Sequence, residues 1–544
     1  MRSALAVLGA ILAAMVLASC VTPKPGPGQT VRIVVRPTET GLSASYGLPG
    51  PATRFPFRDF AGDIRTDAWS TATPGAAIVD AAVTFSAPTT AFQIAISPDT
   101  SQRDRIYPAL TPIGAGWLIY APHLLPAEVG GLVHDVDFSL PEGWVVIGRR
   151  DSKGELVLDG WVYAGPESPV ERGAADVVTA PETPAWLRAE VLKAANDSAA
   201  VFTGRLGVSL TSRPGIIIAH FPKERSGGMR GDVTPGAMVS VRFYGEAWSK
   251  QAPGDAEQVH EFLAHETFHF WNGDMVDSAE NSDRPWLHEG GASYAALLAL
   301  DPTPAPESVP LLKGINENLG KCQSALEEGQ SLMTADMRGG DTPYACGVVL
   351  QWAWDAGLRA TSGGKRDVLS LWKDVIAEAL RANREYSVAS TLRHVPREAA
   401  KAADVLLNGT GADRWTAFAD ALRGYGAVLA PARVVDEDRA TALMHILGQY
   451  CNGQRGFYTR PTHLQLDTGD RCGPLNGDKE FDAVAGHDVI KDVSAMYDRI
   501  REICAASGVI EFTRNRTVVA SAPCTKPLKA PTLYLRVTRA FGAG

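Results

Sequence analysis

From Thr30 to about Ala180 the apolar positions come in short runs, broken every few residues by Gly and Pro. The runs at 31–35, 77–85, 117–120, 145–148 and 156–163 are rich in β-branched and aromatic residues and predict the strands of a sandwich-like domain. Past Pro181 the period changes. Residues 184–204 read as an amphipathic helix, 215–221 and 236–244 as strands, and the stretch to about 430 as mainly helical, with helical apolar spacing at 368–382 and 415–422. Between those last two, Asn408-Gly409-Thr410-Gly411-Ala412-Asp413 spells a turn leading into a helix cap. Beyond Val434 the texture shifts again. A β-rich stretch at 481–487, a helix at 493–506 and strands near 509–512 and 518–520 predict a small α+β domain. The expectation is a multidomain α+β chain with boundaries at 30–180, 181–430 and 431–544.

The polar pattern adds one helix with chemistry on it. Residues 255–270 have helical apolar spacing, with Val259, Phe262, Leu263, Phe268 and Phe270 as packing surface and Asp255, followed by Gln258, as the expected cap. Inside it, His265-Glu266-Thr267-Phe268-His269 spells HExxH. Positions i and i+4 share one helix face, so both imidazoles can reach one metal ion, while Glu266 on the adjoining side can take a proton from a metal-bound water. His260 and Glu261 open a second His-Glu pair, but the next His is five residues on, about 140° round the helix. They are expected to be solvated.

Two further segments complete a resemblance. Trp286-Leu287-His288-Glu289-Gly290-Gly291-Ala292-Ser293-Tyr294 follows the HExxH helix, and Pro343-Tyr344-Ala345-Cys346-Gly347 comes later. In this order they resemble the gluzincin zinc metallopeptidases, specifically the aminopeptidase N and glycyl aminopeptidase families. The resemblance covers about 184–429. It implies a thermolysin-like, mainly helical catalytic domain at 181–430 and zinc held by His265, His269 and Glu289, with the fourth position open for water. It also implies Glu266 as general base and Tyr344 as donor to the oxyanion. Two departures stand out. The gap before Glu289 is one residue longer than the family pattern, which an insertion at Asn281-Ser282-Asp283 would absorb, and His288 replaces the usual Asn and is a rival ligand. Cys346 takes the place of the usual Lys. Relatives also place a small PDZ domain near 431–544, and the C-terminal segment resembles a degenerate one loosely.

The same families carry a G-A-M-E-N strand whose Glu grips the substrate's α-amino group. Here Gly236-Ala237-Met238-Val239-Ser240 puts Val239 at that place, with Glu246 and Glu257 as alternative anionic anchors. An isopropyl group cannot pair with an ammonium, so no strong requirement for a free N-terminus is expected, with N-acetylated peptides cleaved about as well as free ones unless Glu246 or Glu257 takes over; exo- and endo-cleavage are both compatible with the sequence.

Composition and the chain's start set the compartment. With 544 residues, 45% of them hydrophobic, the chain can bury more than one core. A formal net charge of -9 and the lack of a basic stripe with interleaved aromatics argue against nucleic-acid binding. Met1-Arg2 precedes an apolar run at 4–18, too short to span a bilayer, which reads as a secretory signal over 1–19. It ends in Leu17-Ala18-Ser19-Cys20, which resembles a bacterial lipobox. That implies a lipid anchor on Cys20, with 20–29 as a Pro/Gly tether and the body facing the periplasm. Val21, in place of an Asp, favours the outer over the inner membrane. Seven Cys less Cys20 leave six, with no C-x-x-C pair, and in an oxidising compartment chain neighbours suggest Cys322–Cys346, Cys451–Cys472 and Cys504–Cys524. The expected function is a lipid-anchored zinc peptidase acting on peptides. The alternative is an inactive lipoprotein of the same fold that binds peptides or acts as a scaffold.

Overall fold

The computed structural model describes residues 30–542 except 59–63, 101–106, 128–131, 151–153, 169, 211–212, 225–227, 235–237, 282, 337–339, 454 and 469–470. The signal, the tether and Cys20 therefore lie outside the described residues, as do Gly236, Ala237 and Ser282. The chain gathers into two compact units. One takes the chain up to Thr203 and Ser209–Met275, and the other takes Gly204–Val208 and everything from Val276.

The first unit begins with two sheets that share a core. Thr30–Thr38, Gly41–Pro56 and Ala82–Ile96 form the centre of one, and Leu110–Ile113, Gly116–Tyr120, Trp161–Pro166 and Trp144–Ile147 form the other. In Thr30–Thr38 burial follows the two-residue period, with Val31, Ile33 and Val35 inside. They meet Tyr46 and Phe92 from their own sheet and Ile119 and Val162 from the second. Two expected strands are corrected. The run at 77–85 is a hairpin, because Asp80 enters the left-handed region (φ 50°) and turns the chain between Ala76–Val79 and Ala82–Ile96. The run at 156–163 is extended only from Trp161, after a bend at Asp159-Gly160.

A third sheet lies between these and the HExxH helix in sequence. Its strands are β1 (Val170–Arg172), β2 (Asp176–Thr179), β3 (Gly215–Phe221), β4 (Met229–Thr234) and β5 (Met238–Tyr244), in the order β1-β2-β3-β5-β4. β3 and β5 run parallel and are nearly continuous in burial, as strands covered on both faces should be. β4 is antiparallel and closes the edge. Helix α1 (Ala185–Leu206) follows β2, and helix α2 (Asp255–His269) follows β5. α2 lies against β4 at Gly231, where an added Cβ would meet the Phe262 ring at 2.4 Å.

The second unit is mainly helical. It contains α3 (Pro285–Leu300), α4 (Val309–Ala325), α5 (Thr342–Ser362) and α6 (Val368–Arg381), followed by Arg397–Asn408 and Arg414–Gly424. Behind α3 and α5 sits a buried polar knot. The Asp355 carboxylate accepts from the Tyr294 hydroxyl at 3.0 Å, the Arg359 Nε at 2.9 Å and the Val368 amide at 2.9 Å, and it is fully buried. Burial pushes the Asp355 carboxyl above its usual range, while Arg359 pulls it back. We expect Asp355→Ala to cost about 3 kcal/mol of unfolding free energy, since it strands the Tyr294 hydroxyl and the Val368 amide and leaves the largely buried Arg359 guanidinium with Asp367, 3.5 Å away, as its remaining carboxylate. Urea titration checks this, and a loss under about 1 kcal/mol would contradict it.

The C-terminal segment of this unit has its own core. Helices Val435–Tyr450 and Val493–Ala505 bring Leu443, Leu447, Met496 and Ile500 onto Leu464, Phe481, Ile510 and Phe512 from short strands. The predicted pairings Cys322–Cys346, Cys451–Cys472 and Cys504–Cys524 are the disulfides found. No described helix is long and apolar enough to cross a membrane.

Candidate metal centre

α2 begins after Gly254, whose φ of +92° suits glycine, and carries Asp255 and Glu257 at the positive end of the helix dipole. Asp255 is the first helical residue, not the expected cap. Its carboxylate turns back to accept from the Ala252 amide at 2.6 Å. Val259, Leu263, Ala264 and Phe268 are buried and anchor the helix. Its last turn does not stop at His269 but widens into a π-helical turn, Phe270–Met275, a distortion often found at functional sites.

That turn has a chemical consequence. It brings the fully buried Asn272 to the back of His269, with Asn272 Oδ1 at 2.9 Å from Nδ1. A proton on Nδ1 satisfies the amide oxygen and leaves Nε2 with a lone pair, the state a metal ligand needs. The Nε2 atoms of His265 and His269 are 3.1 Å apart, and their rings stand nearly perpendicular at 86°. Two imidazoles bound at 2.0–2.1 Å to one tetrahedral zinc would have their nitrogens about 3.3 Å apart, so the pair fits such an ion. His265 and His269 lie together in the first unit, and Glu289 belongs to the second. Glu266 is 7% exposed and so largely dry.

Glu289 sits four residues into α3, which starts with Pro285 at a position suited to proline. Trp286 locks that start, donating its indole N–H to the Leu332 carbonyl at 3.1 Å. The next residue explains a glycine. A Cβ on Gly290 would sit 2.2 Å from the Cα of Gly347, so α3 and α5 cross backbone to backbone. α5 carries Tyr344 in its first turn, and Cys346 ties that turn to α4 through Cys322. The residue standing where relatives have Lys is thus half of a crosslink. Tyr344 is 39% exposed.

Other candidates fall elsewhere. His288 is buried, and its Nδ1 faces the Tyr386 hydroxyl at 2.9 Å. His260, expected to be solvated, is instead buried facing Glu190 of α1, and burial followed by Lys193 lowers its pKa. Among the described residues one more metal-sized group exists, His445 with Cys504 and Cys524, but both sulfurs are already spent in a disulfide. Val239 is fully buried in β5, hydrogen-bonded to β3 on one side and β4 on the other, so it does not stand where a substrate ammonium could arrive.

Sequence reasoning missed Asn272, Tyr386 and a set of residues near Glu266. Tyr107, Tyr120 and Trp161 pack at centroid distances of 4.6–5.3 Å, and the half-buried Asp232 of β4 accepts from the Trp161 indole at 3.2 Å and pairs with Arg242 at 3.3 Å. Burial, then Asp232 and Tyr120, and more weakly Glu266 push the Tyr107 hydroxyl upward, which keeps it a donor. No short motif links these positions, which come from three separate sheets or loops.

No family model matches the sequence, and neither does any curated protein. Solved structures do. An aminopeptidase N family protein from Idiomarina loihiensis superposes with a TM-score of 0.61 at 12% identity, covering 94% of this chain and 98% of that one. The two share a fold. An M1 zinc metallopeptidase from Deinococcus radiodurans, solved with a Tyr-Ser-Ala substrate, matches at a TM-score of 0.38 and 16% identity over 70% of this chain and 94% of its own. Legionella pneumophila aminopeptidase A, solved with aspartic acid, matches at 0.38 and 12% over 83% of this chain and 55% of its own. The mixed α+β chain thus shares its fold with an aminopeptidase N family protein.

Proposed function

We propose that the protein is a zinc-dependent peptidase in which His265, His269 and Glu289 hold the ion. The observation that carries this reading is the pairing of His265 and His269, with an Nε2···Nε2 separation suited to one tetrahedral ion, and the Trp-Leu-x-Glu-Gly resemblance supports Glu289 as the third ligand. Zinc, when bound, supplies a Lewis acid and makes its water more acidic. Glu266 accepts the proton of the attacking water and later passes it to the departing nitrogen, so the base is restored in each cycle. Its low exposure limits exchange with bulk water of the proton it carries between the two transfers. Asn272 orients His269 throughout.

Tyr344 donates its hydroxyl to the oxygen that gains charge as water adds to the carbonyl. Its partial exposure leaves it accessible to a substrate, and the α3–α5 crossing together with the Cys322–Cys346 crosslink holds its helix. Tyr344→Phe should lower kcat about 10²–10³-fold with zinc content unchanged. A wild-type rate in that variant would reduce Tyr344 to packing.

The reading extends to location. Three disulfides suit an oxidising compartment, and the lipobox resemblance at Leu17-Ala18-Ser19-Cys20 supports a lipid anchor in a bacterial envelope, with the outer membrane favoured by Val21. Cys20→Ser should release the protein from the membrane fraction. Mass spectrometry that finds the mature N-terminus at another residue would contradict the anchor. The reading as an inactive peptide-binding lipoprotein is separated by assaying zinc content and turnover on a mixed peptide pool.

A further inference from the structure

Glu289 is preceded by a His where the family resemblance leads one to expect Asn, and that His has a specific partner. The Tyr386 hydroxyl lies 2.9 Å from His288 Nδ1. Tyr386 belongs to β7 (Glu385–Tyr386), which pairs in parallel with β6 (Asp277–Ser278), and its carbonyl accepts from the Ala279 amide at 2.9 Å. Arg384, just before β7, adopts a φ of +65°, so the strand is entered through a left-handed turn. The Tyr386 ring is fixed as well. It is 1% exposed and meets Trp372 of α6 edge-on, with centroids 5.2 Å apart and an interplanar angle of 86°. Trp372 in turn fills the space beside Gly291, where an added Cβ would lie 2.5 Å from the indole.

These contacts grip one short stretch of α3 from two points. His288 is held through its ring by Tyr386, and Gly291 is covered by Trp372. Glu289 lies between them. Burial, and after it the negative charge of Asp277, push the Tyr386 hydroxyl far above its usual range, against a hydrogen bond from Ser278 that lowers it, so the ring is held as a neutral phenol.

We infer that Tyr386 is a positioning residue: by fixing His288 it locks the segment of α3 that carries Glu289 and so raises the site's affinity for its metal. The inference rests on the reading of Glu289 as a zinc ligand. Partners that orient a ligand without touching the metal commonly change metal affinity by about 10–100-fold when removed.

The test uses the folded ectodomain stripped of metal, with zinc alone as the probe and a chelator in competition. Tyr386→Phe should raise the zinc Kd about 10–100-fold, and His288→Leu should do the same. In the double variant the effects should not add, because Tyr386 acts through His288. A role in packing alone would lower the melting temperature of the metal-free protein without moving the zinc Kd of the folded state. Should Tyr386→Phe fail to fold, His288→Leu carries the test by the same Kd criterion. Tight wild-type binding with a Kd within twofold of wild type in both variants would overturn this inference and leave the zinc site standing. A wild-type protein that binds no zinc would sink the site, and this inference with it.

Discussion

Glu266→Gln should keep its zinc and lose turnover by about 10⁴-fold, the upper end of what a positioned general base contributes. The glutamine preserves the shape of the side chain and can still hydrogen-bond a water, but it cannot take that water's proton. Burial makes the loss steep, since a group that is 7% exposed leaves little room for bulk water to shuttle the proton in its place. The expected pattern is a fall in kcat and in kcat/KM by the same factor, because the interaction lost exists only as the reaction proceeds. Full activity would remove the general-base assignment outright.

His269→Ala should empty the site. Asn272 holds His269 in the tautomer a metal requires, and His269 Nε2 lies 3.1 Å from His265 Nε2, so its loss breaks the imidazole pair. With two ligands left, zinc binding should fall below stoichiometry at micromolar concentrations, and hydrolysis with it. Glu289→Ala and His288→Ala sharpen the assignment. Glu289→Ala should lose the metal, whereas His288→Ala should weaken binding without abolishing it, because His288 points at Tyr386. If His288→Ala empties the site while Glu289→Ala does not, the third ligand is wrong.

How legible was this in the chain? The helix with HExxH could be read because ligand pairing at i and i+4 is a local property of the backbone. The helices 185–206, 368–381 and 414–424 were legible for the same reason, since their apolar faces repeat at the helical period. Chain neighbours also gave the disulfide pairings, whose loops of 20–24 residues close cheaply. Long-range facts were hidden. Gly236-Ala237-Met238 matched a family motif with Val239 in place of its Glu, yet only the order β3-β5-β4 reveals that the strand is internal and that β4 is the one against α2. His260 looked solvated because an i+5 spacing says nothing about the neighbouring helix that covers it. Asn272 depends on a π turn that no residue pattern announces, and Tyr386 lies 98 positions from the His it holds.

The most direct test is to measure zinc in the purified ectodomain by elemental analysis while following peptide hydrolysis through chelation and zinc replacement. The account predicts about one zinc per chain, with hydrolysis abolished on stripping and restored as zinc returns toward one equivalent. A protein that holds no zinc, or that cleaves peptides equally well after its metal is removed, would contradict it.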